Sequence, residues 1–257
     1  MLQRIHMSPS GTKRPLVLSA VQTGITHCNR CPRLRTYCQD VGRVKRAAYR
    51  QDTYWARPVP GFGDPAARIL VLGLAPAAHG ANRTGRVFTG GGAGGSGDFL
   101  MSALQRAGFA NRSTSQRADD GLQLTDVYIA AAVRCAPPAN RPLPEEVDRC
   151  LAHLLDEVAA LPKLEMVIAL GKIAWDAWLK LLVQQGVALP RPRPVFSHGA
   201  VLHLGTLAPG HPGTLAPWHP GTLVGMYHPS RQNTNTGTVT PAMYDAVLRK
   251  VRSRISG

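Results

Sequence analysis

Cysteines are the residues of this 257-residue chain whose spacing points most directly to chemistry. Cys28-x-x-Cys31 lets two thiolates converge on one metal, a spacing shared by zinc and iron–sulfur sites. Cys135 lies directly after the apolar run Val127 to Val133. Cys150 stands three residues after Val147, on the buried side of the helical pattern that follows. Two sulfurs from a loop and two from a strand–helix junction can close a four-sulfur site around zinc or an iron–sulfur cluster. Cys38 is then left over, although by spacing alone it competes with Cys28 or Cys31. The same residues also read as ordinary buried thiols, small and apolar. A disulfide framework does not suit a cytoplasmic chain of this size.

Two loops carry most of the other candidates. The first reads Gly73-Leu-Ala-Pro-Ala-Ala-His-Gly-Ala-Asn-Arg-Thr-Gly-Arg-Val-Phe-Thr-Gly90. Its start, Gly73 to Ala78, is rich in glycine and alanine, so backbone amides can approach a ligand closely. The second reads His228-Pro-Ser-Arg-Gln-Asn-Thr-Asn-Thr-Gly237. A third stretch, Cys135-Ala-Pro-Pro-Ala-Asn140, lies between them. A His-Pro-Gly-Thr-Leu unit repeats within residues 207–223 and contains His211 and His219. It reads as a duplicated irregular loop, with metal binding, and a zinc hydrolase built on it, as the alternative.

The elements that must position these loops follow from periodicity. Ile69 to Leu74, Val127 to Val133, Met166 to Leu170 and Thr222 to Tyr227 are short runs apolar on both faces, as buried parallel strands are. Helical patterns alternate with them: Phe99 to Ala107, a helix opened by Pro144, Ile173 to Leu182, and a last helix entered through Thr240-Pro241. Alternation of this kind means an α/β fold, a parallel sheet covered on both sides. Ligands of such sheets bind beyond the carboxyl ends of the strands, where the first and second loops lie.

Taken together, the two loops, Cys28/Cys31 upstream and the Cys135–Asn140 stretch resemble the family 5 uracil-DNA glycosylases, from about Cys28 to the end of the last helix. The resemblance implies a three-layer α/β/α sandwich around a central four-stranded parallel sheet. It implies a [4Fe-4S] cluster on Cys28, Cys31, Cys135 and Cys150, with Cys38 spare. The implied reaction is hydrolysis of the N-glycosidic bond of uracil, and of other deaminated bases such as hypoxanthine, in DNA. The implied product is an abasic site, made by a monofunctional enzyme of base excision repair. The rival is a non-catalytic damaged-DNA-binding protein of the same fold.

Roles follow residue by residue. A base in a duplex has to be flipped out to be reached, and it gains negative charge as it leaves. His228 is expected to meet a base carbonyl with its imidazole N–H, the largest lever available. Phe88 is expected to stack on the base. Gly73, Ala75 and Ala77 would form the turn against it, and His79 would contact base or water. Ala75 stands where better-known uracil-DNA glycosylases place Asp or Asn, so this side chain cannot activate water. Asn82 and Asn140 are the candidates for positioning that water. Arg83, Arg86, Ser230, Arg231 and Asn233 are expected to face DNA phosphates. The family usually has an acid after Phe88-Thr-Gly90. Here Gly90-Gly-Gly-Ala-Gly-Gly-Ser-Gly97 intervenes before Asp98, which leaves open whether Asp98 takes that place.

Composition suits a nucleic-acid partner, and equally a basic surface kept for solubility in a chain whose coding sequence favours arginine. Thirty Lys and Arg against fifteen Asp and Glu leave a formal charge of +15, and 24 of the basic residues are arginine. A guanidinium holds a phosphate through two parallel hydrogen bonds. Eleven basic residues against two acids fall before residue 61. Residues 1–22 are expected to be a loose basic leader and 23–257 a single domain. No run approaches the roughly 18 apolar residues of a membrane span, and Met1 to Leu16 lacks the apolar stretch of a secretory signal. The expectation is a cytoplasmic monomer, reaching the nucleoid through DNA.

Overall fold

Alternating side chains decide how the sheet is covered. The computed structural model describes residues 17–92, 94–204 and 220–255. In chain order, α1 (Leu18–Thr26) and α2 (Pro32–Val44) precede the edge strand β1 (Phe62–Gly63) and β2 (Ile69–Gly73). Then come α3 (Ala81–Thr84), α4 (Ser96–Arg106), β3 (Val127–Ala131), α5 (Pro144–Ala159), β4 (Met166–Leu170) and α6 (Lys172–Gln184). The chain closes with β5 (Val201–His203), β6 (Thr222–Met226), α7 (Arg231–Asn235) and α8 (Pro241–Ile255). The strand order is β1-β3-β2-β4-β6-β5. β3, β2, β4 and β6 are mutually parallel, and β1 and β5 pair antiparallel at the edges.

Along β2, Ile69 and Val71 point to one face and Leu70 and Leu72 to the other, the two-residue period of a strand. The first face packs with Leu100, Met101 and Leu104 of α4 and Tyr244, Leu248 and Val251 of α8. The second packs with Leu151 and Leu154 of α5 and Trp175 and Trp178 of α6. The result is the expected α/β/α sandwich, with two short antiparallel strands added to the expected four.

Helix starts follow local chemistry. Pro144 occupies the first turn of α5, and Glu146 reaches back so that its Oε2 accepts from Leu143 N at 2.8 Å. That arrangement satisfies an amide left over at the helix end and puts negative charge at the positive end of the dipole. At α8 the Thr240 hydroxyl accepts from Met243 N at 3.4 Å.

Two expectations change. Residues 18–22 belong to α1 rather than to a leader. Ile25 of that helix is fully buried, and Gln22 Nε2 donates to Gly61 O at 2.9 Å and to the Tyr128 hydroxyl at 3.1 Å. The loop after β6 contains α7, capped by Ser230. Residues 1–16, and His211 and His219 with most of their repeat, lie outside the described residues.

Candidate active site

The carboxyl ends of β2, β3 and β6 open on a cavity of about 120 Å³. Its walls include Gly73, Ala75, Ala77, Phe88, Ala131 and His228. Phe88 is held in a left-handed backbone conformation (φ +52°), a region that bulky residues avoid. Two glycines fix it there. A Cβ on Gly73 would stand 2.8 Å from the Phe88 ring, and one on Gly97 would stand 2.2 Å from the Phe88 carbonyl oxygen. Strained backbone held this firmly is a common mark of a functional site.

Across the cavity the Phe88 and His228 rings lie 5.9 Å apart between centroids and are tilted by 30°. The His228 backbone is fixed through its carbonyl oxygen, which accepts from Asn233 Nδ2 and from Ser230 N, both at 2.8 Å. Ser230 Oγ in turn accepts from Asn233 N at 3.2 Å. Neither imidazole nitrogen has a hydrogen-bond partner among the described residues. Burial pushes its pKa down to about 4, so the ring is neutral at pH 7. A neutral imidazole presents one N–H donor and one acceptor.

Several expected site residues turn away. Asn82 is fully buried, and its Nδ2 donates to Cys38 O at 3.2 Å and Ala78 O at 3.4 Å. It ties α3 to α2 and does not line the cavity. Asn140 is exposed on the turn after Cys135, with φ +56°, and is also outside the cavity wall. His79 Nδ1 pairs with the Tyr54 hydroxyl at 2.9 Å. Asp98 accepts from Ser115 N at 3.1 Å and from Gln116 Nε2, so it holds a neighbouring loop. None of the cavity-wall residues carries a carboxylate.

The arginines of the first loop are corrected too. Arg83 is paired with Asp52, donates to Gly90 O at 2.9 Å and His79 O at 3.0 Å, and lies 3.9 Å above the Tyr49 ring. Arg86 is buried. It donates to Asp120 at 2.7 Å, Thr89 Oγ1 at 2.9 Å, Ser115 Oγ at 3.0 Å and Ala118 O at 3.1 Å. Both brace the loop from within instead of facing a phosphate. Arg231 is exposed at the start of α7, and its Nη2 donates to Gly91 O at 2.9 Å, joining the second loop to the glycine-rich rim. The sequence reading missed the partners of these arginines, Asp52, Ser115 and Asp120, because nothing in their local spacing marks them.

Cys31, Cys38, Cys135 and Cys150 share one buried cluster with Leu34, Val133 and Ala136, while Cys28 is half-buried. All five thiols are free. Arg149 lies beside Cys31, Arg35 beside Cys38 and Cys135, and Arg134 beside Cys150. Among the described residues, no group of three or more His, Cys, Asp or Glu side chains is arranged as metal ligands.

A parallel sheet opening at its carboxyl ends on a small cavity, faced by an aromatic ring and a neutral histidine, places the site where α/β proteins bind their ligands. Residues 60–252 match the uracil DNA glycosylase superfamily. The type-5 uracil-DNA glycosylase of Thermus thermophilus is 46% identical over 237 residues, which cover 92% of this chain and 97% of that protein. That of Mycobacterium tuberculosis is 44% identical over 229 residues, covering 89% and 78%. That of Pyrobaculum aerophilum is 41% identical over 226 residues, covering 88% of each. The chain belongs to the uracil DNA glycosylase superfamily, in its type-5 family.

Proposed function

We propose that the chain hydrolyses the N-glycosidic bond of uracil, and of other deaminated bases such as hypoxanthine, in DNA. The observation that carries this reading is the neutral His228 facing Phe88 across a ring-sized cavity whose wall has no carboxylate. A flipped base stacks on Phe88, and the His228 N–H donates to the base oxygen where negative charge develops. The C1′–N bond breaks with its electron pair going to the base. A water oxygen then bonds to C1′, and its proton passes to solvent or to the departed base. Without a carboxylate in the wall, stabilisation of the leaving base outweighs general-base help. The test is alkaline cleavage of uracil- and hypoxanthine-containing duplexes after incubation. Intact strands in both would refute the reading, and cleavage of the uracil strand alone would remove hypoxanthine.

The pH profile should reflect the burial of His228. With its pKa lowered to about 4, the histidine stays a neutral donor throughout the physiological range. Plotted against pH, kcat/KM for uracil excision should pass the ordinary histidine value, about 6.5, without an inflection. A break there would mean that His228 titrates as an exposed histidine.

On this reading the chain acts on DNA in the cytoplasm, with a monomer as the proposed working state. No helix among the described residues is long and apolar enough to cross a membrane.

The proposed cofactor is a [4Fe-4S] cluster on Cys28, Cys31, Cys135 and Cys150, three of which share a buried cluster while Cys28 is half-buried beside it. Burial pushes the Cys31 and Cys150 thiols up, and Cys38 together with burial pushes Cys135 up; Arg149 beside Cys31 and Arg35 beside Cys135 pull the other way, toward the thiolates a cluster needs. When bound, such a cluster would cross-link the α1–α2 segment to the β3–α5 junction. Purified protein should absorb broadly near ~400 nm as thiolate-ligated clusters do. Cys28→Ser should lose that band and Cys38→Ser should keep it. A colourless zinc protein would overturn the cofactor, and the reverse pattern would overturn the ligand set.

A further inference from the structure

We propose that Ser96 reads the hydrogen-bonding edge of the flipped base; the proposal rests on the glycosylase reading above. Among the residues lining the cavity, only Thr89, Ser96 and His228 have polar side-chain atoms. Thr89 Oγ1 is already committed to Arg86 Nε, Val87 O and Ser115 Oγ. The Ser96 hydroxyl, half-buried at the first position of α4, has no hydrogen-bond partner among the described residues. A ligand filling this cavity therefore meets two unengaged side-chain polar groups, an imidazole and a hydroxyl.

The placement of Ser96 is rigid relative to the stacking ring. The next residue, Gly97, packs so closely on the Phe88 carbonyl that no Cβ fits between them. Asp98, one further along, is tied to Ser115 N at 3.1 Å. The face of the base and its edge are thus held in register by one turn of helix.

The chemistry of a hydroxyl sets the substrate class. An amide side chain presents a fixed donor and a fixed acceptor, and so demands one pattern of the base. A hydroxyl rotates and can either donate or accept. It satisfies a ring carbonyl as donor and a ring N–H as acceptor, the two groups that deamination leaves on a base edge. Ser96 therefore admits both a pyrimidine and a purine product of deamination on hydrogen-bonding grounds.

The test compares wild type, Ser96→Ala and Ser96→Thr in single-turnover excision of uracil, alongside binding to duplex carrying a non-cleavable abasic analogue. Ser96→Ala should slow uracil excision roughly three- to tenfold, the loss of one hydrogen bond. Ser96→Thr, which keeps the hydroxyl, should restore most of the rate. Binding to the abasic analogue, which has no base to read, should be unchanged in both. Equal rates for wild type and Ser96→Ala would overturn the proposal. So would a parallel loss of abasic-analogue binding, which would mark a structural role. Failure of wild type itself to excise uracil would instead refute the glycosylase reading.

Discussion

His228→Ala is expected to lower uracil excision about 10²–10³-fold, the usual loss when one donor to a developing oxyanion is removed, about 2.7–4 kcal/mol. The loss should be that large because the base leaves as an anion and the cavity offers little else to hold the charge. The walls around His228 are mostly glycine and alanine, Thr89 is engaged elsewhere, and the only other unengaged side-chain donor in the wall is the neutral hydroxyl of Ser96. The fold should survive the substitution. The loop is held through the His228 backbone carbonyl by Asn233 and Ser230, and the imidazole makes no hydrogen bond that the protein would miss. Binding to duplex bearing an abasic analogue should therefore persist while turnover collapses. Excision within about threefold of wild type would remove His228 from the mechanism.

Arginine shows where a residue type misleads. Arg83 and Arg86, beside the first loop, have the planar fork of donors that suits a phosphate. The same fork suits a set of carbonyl and carboxylate oxygens closing a loop, and the structure uses it that way. What separates the two uses is the presence of Asp52, Asp120 and Ser115, 29 to 34 positions from these arginines in the chain. Local sequence cannot show that. Arg231 remains on the surface, and the excess charge of the chain is carried mostly by arginines outside the first loop.

The sandwich itself was legible because each central strand is a run of five residues apolar on both faces, and each main helix carries an apolar stripe and a proline or glycine stop. β1 and β5, at two and three residues, are too short to show a period. α1 and α2 were hidden within a basic segment read for its charge and its cysteines. Phe88, His228 and the small residues of the first loop meet as expected, since they follow the carboxyl ends of β2 and β6 at the same end of one parallel sheet. Asn82 and His79, read from the same loop, do not. In a tight turn neighbouring side chains diverge, and Asn82 faces α2 while His79 faces Tyr54. Cys38 joins the buried cysteine cluster on α2, seven residues after Cys31 and so two helical turns along the same face.

The largest stability effect should come from a pair far from the cavity. Arg134 and Glu157 are almost completely buried and form an ion pair at 2.6 Å. Glu157 Oε1 also accepts from Gly61 N at 2.8 Å and from the Tyr128 hydroxyl at 3.0 Å. Burial and the Glu157 charge push the Tyr128 pKa up, so the phenol stays protonated and donates. Tyr128 in turn accepts from Gln22, which carries the network to α1. Arg134 Nε and Nη1 find no acceptor among the described residues, so Glu157 is the main compensation for a buried guanidinium. Glu157→Ala should destabilise the protein by about 3–5 kcal/mol, the penalty for a buried charge left unpaired. That is a large part of the ~5–15 kcal/mol that holds a typical domain folded. Replacing both partners, Arg134→Met with Glu157→Leu, should recover most of the loss, because no charge is then stranded. Urea unfolding midpoints of the single and double variants decide the matter. A single variant within about 1 kcal/mol of wild type would mean that water reaches Arg134, and a double variant no better than the single would mean that the hydrogen bonds of Glu157 to Gly61 and Tyr128 matter more than its charge.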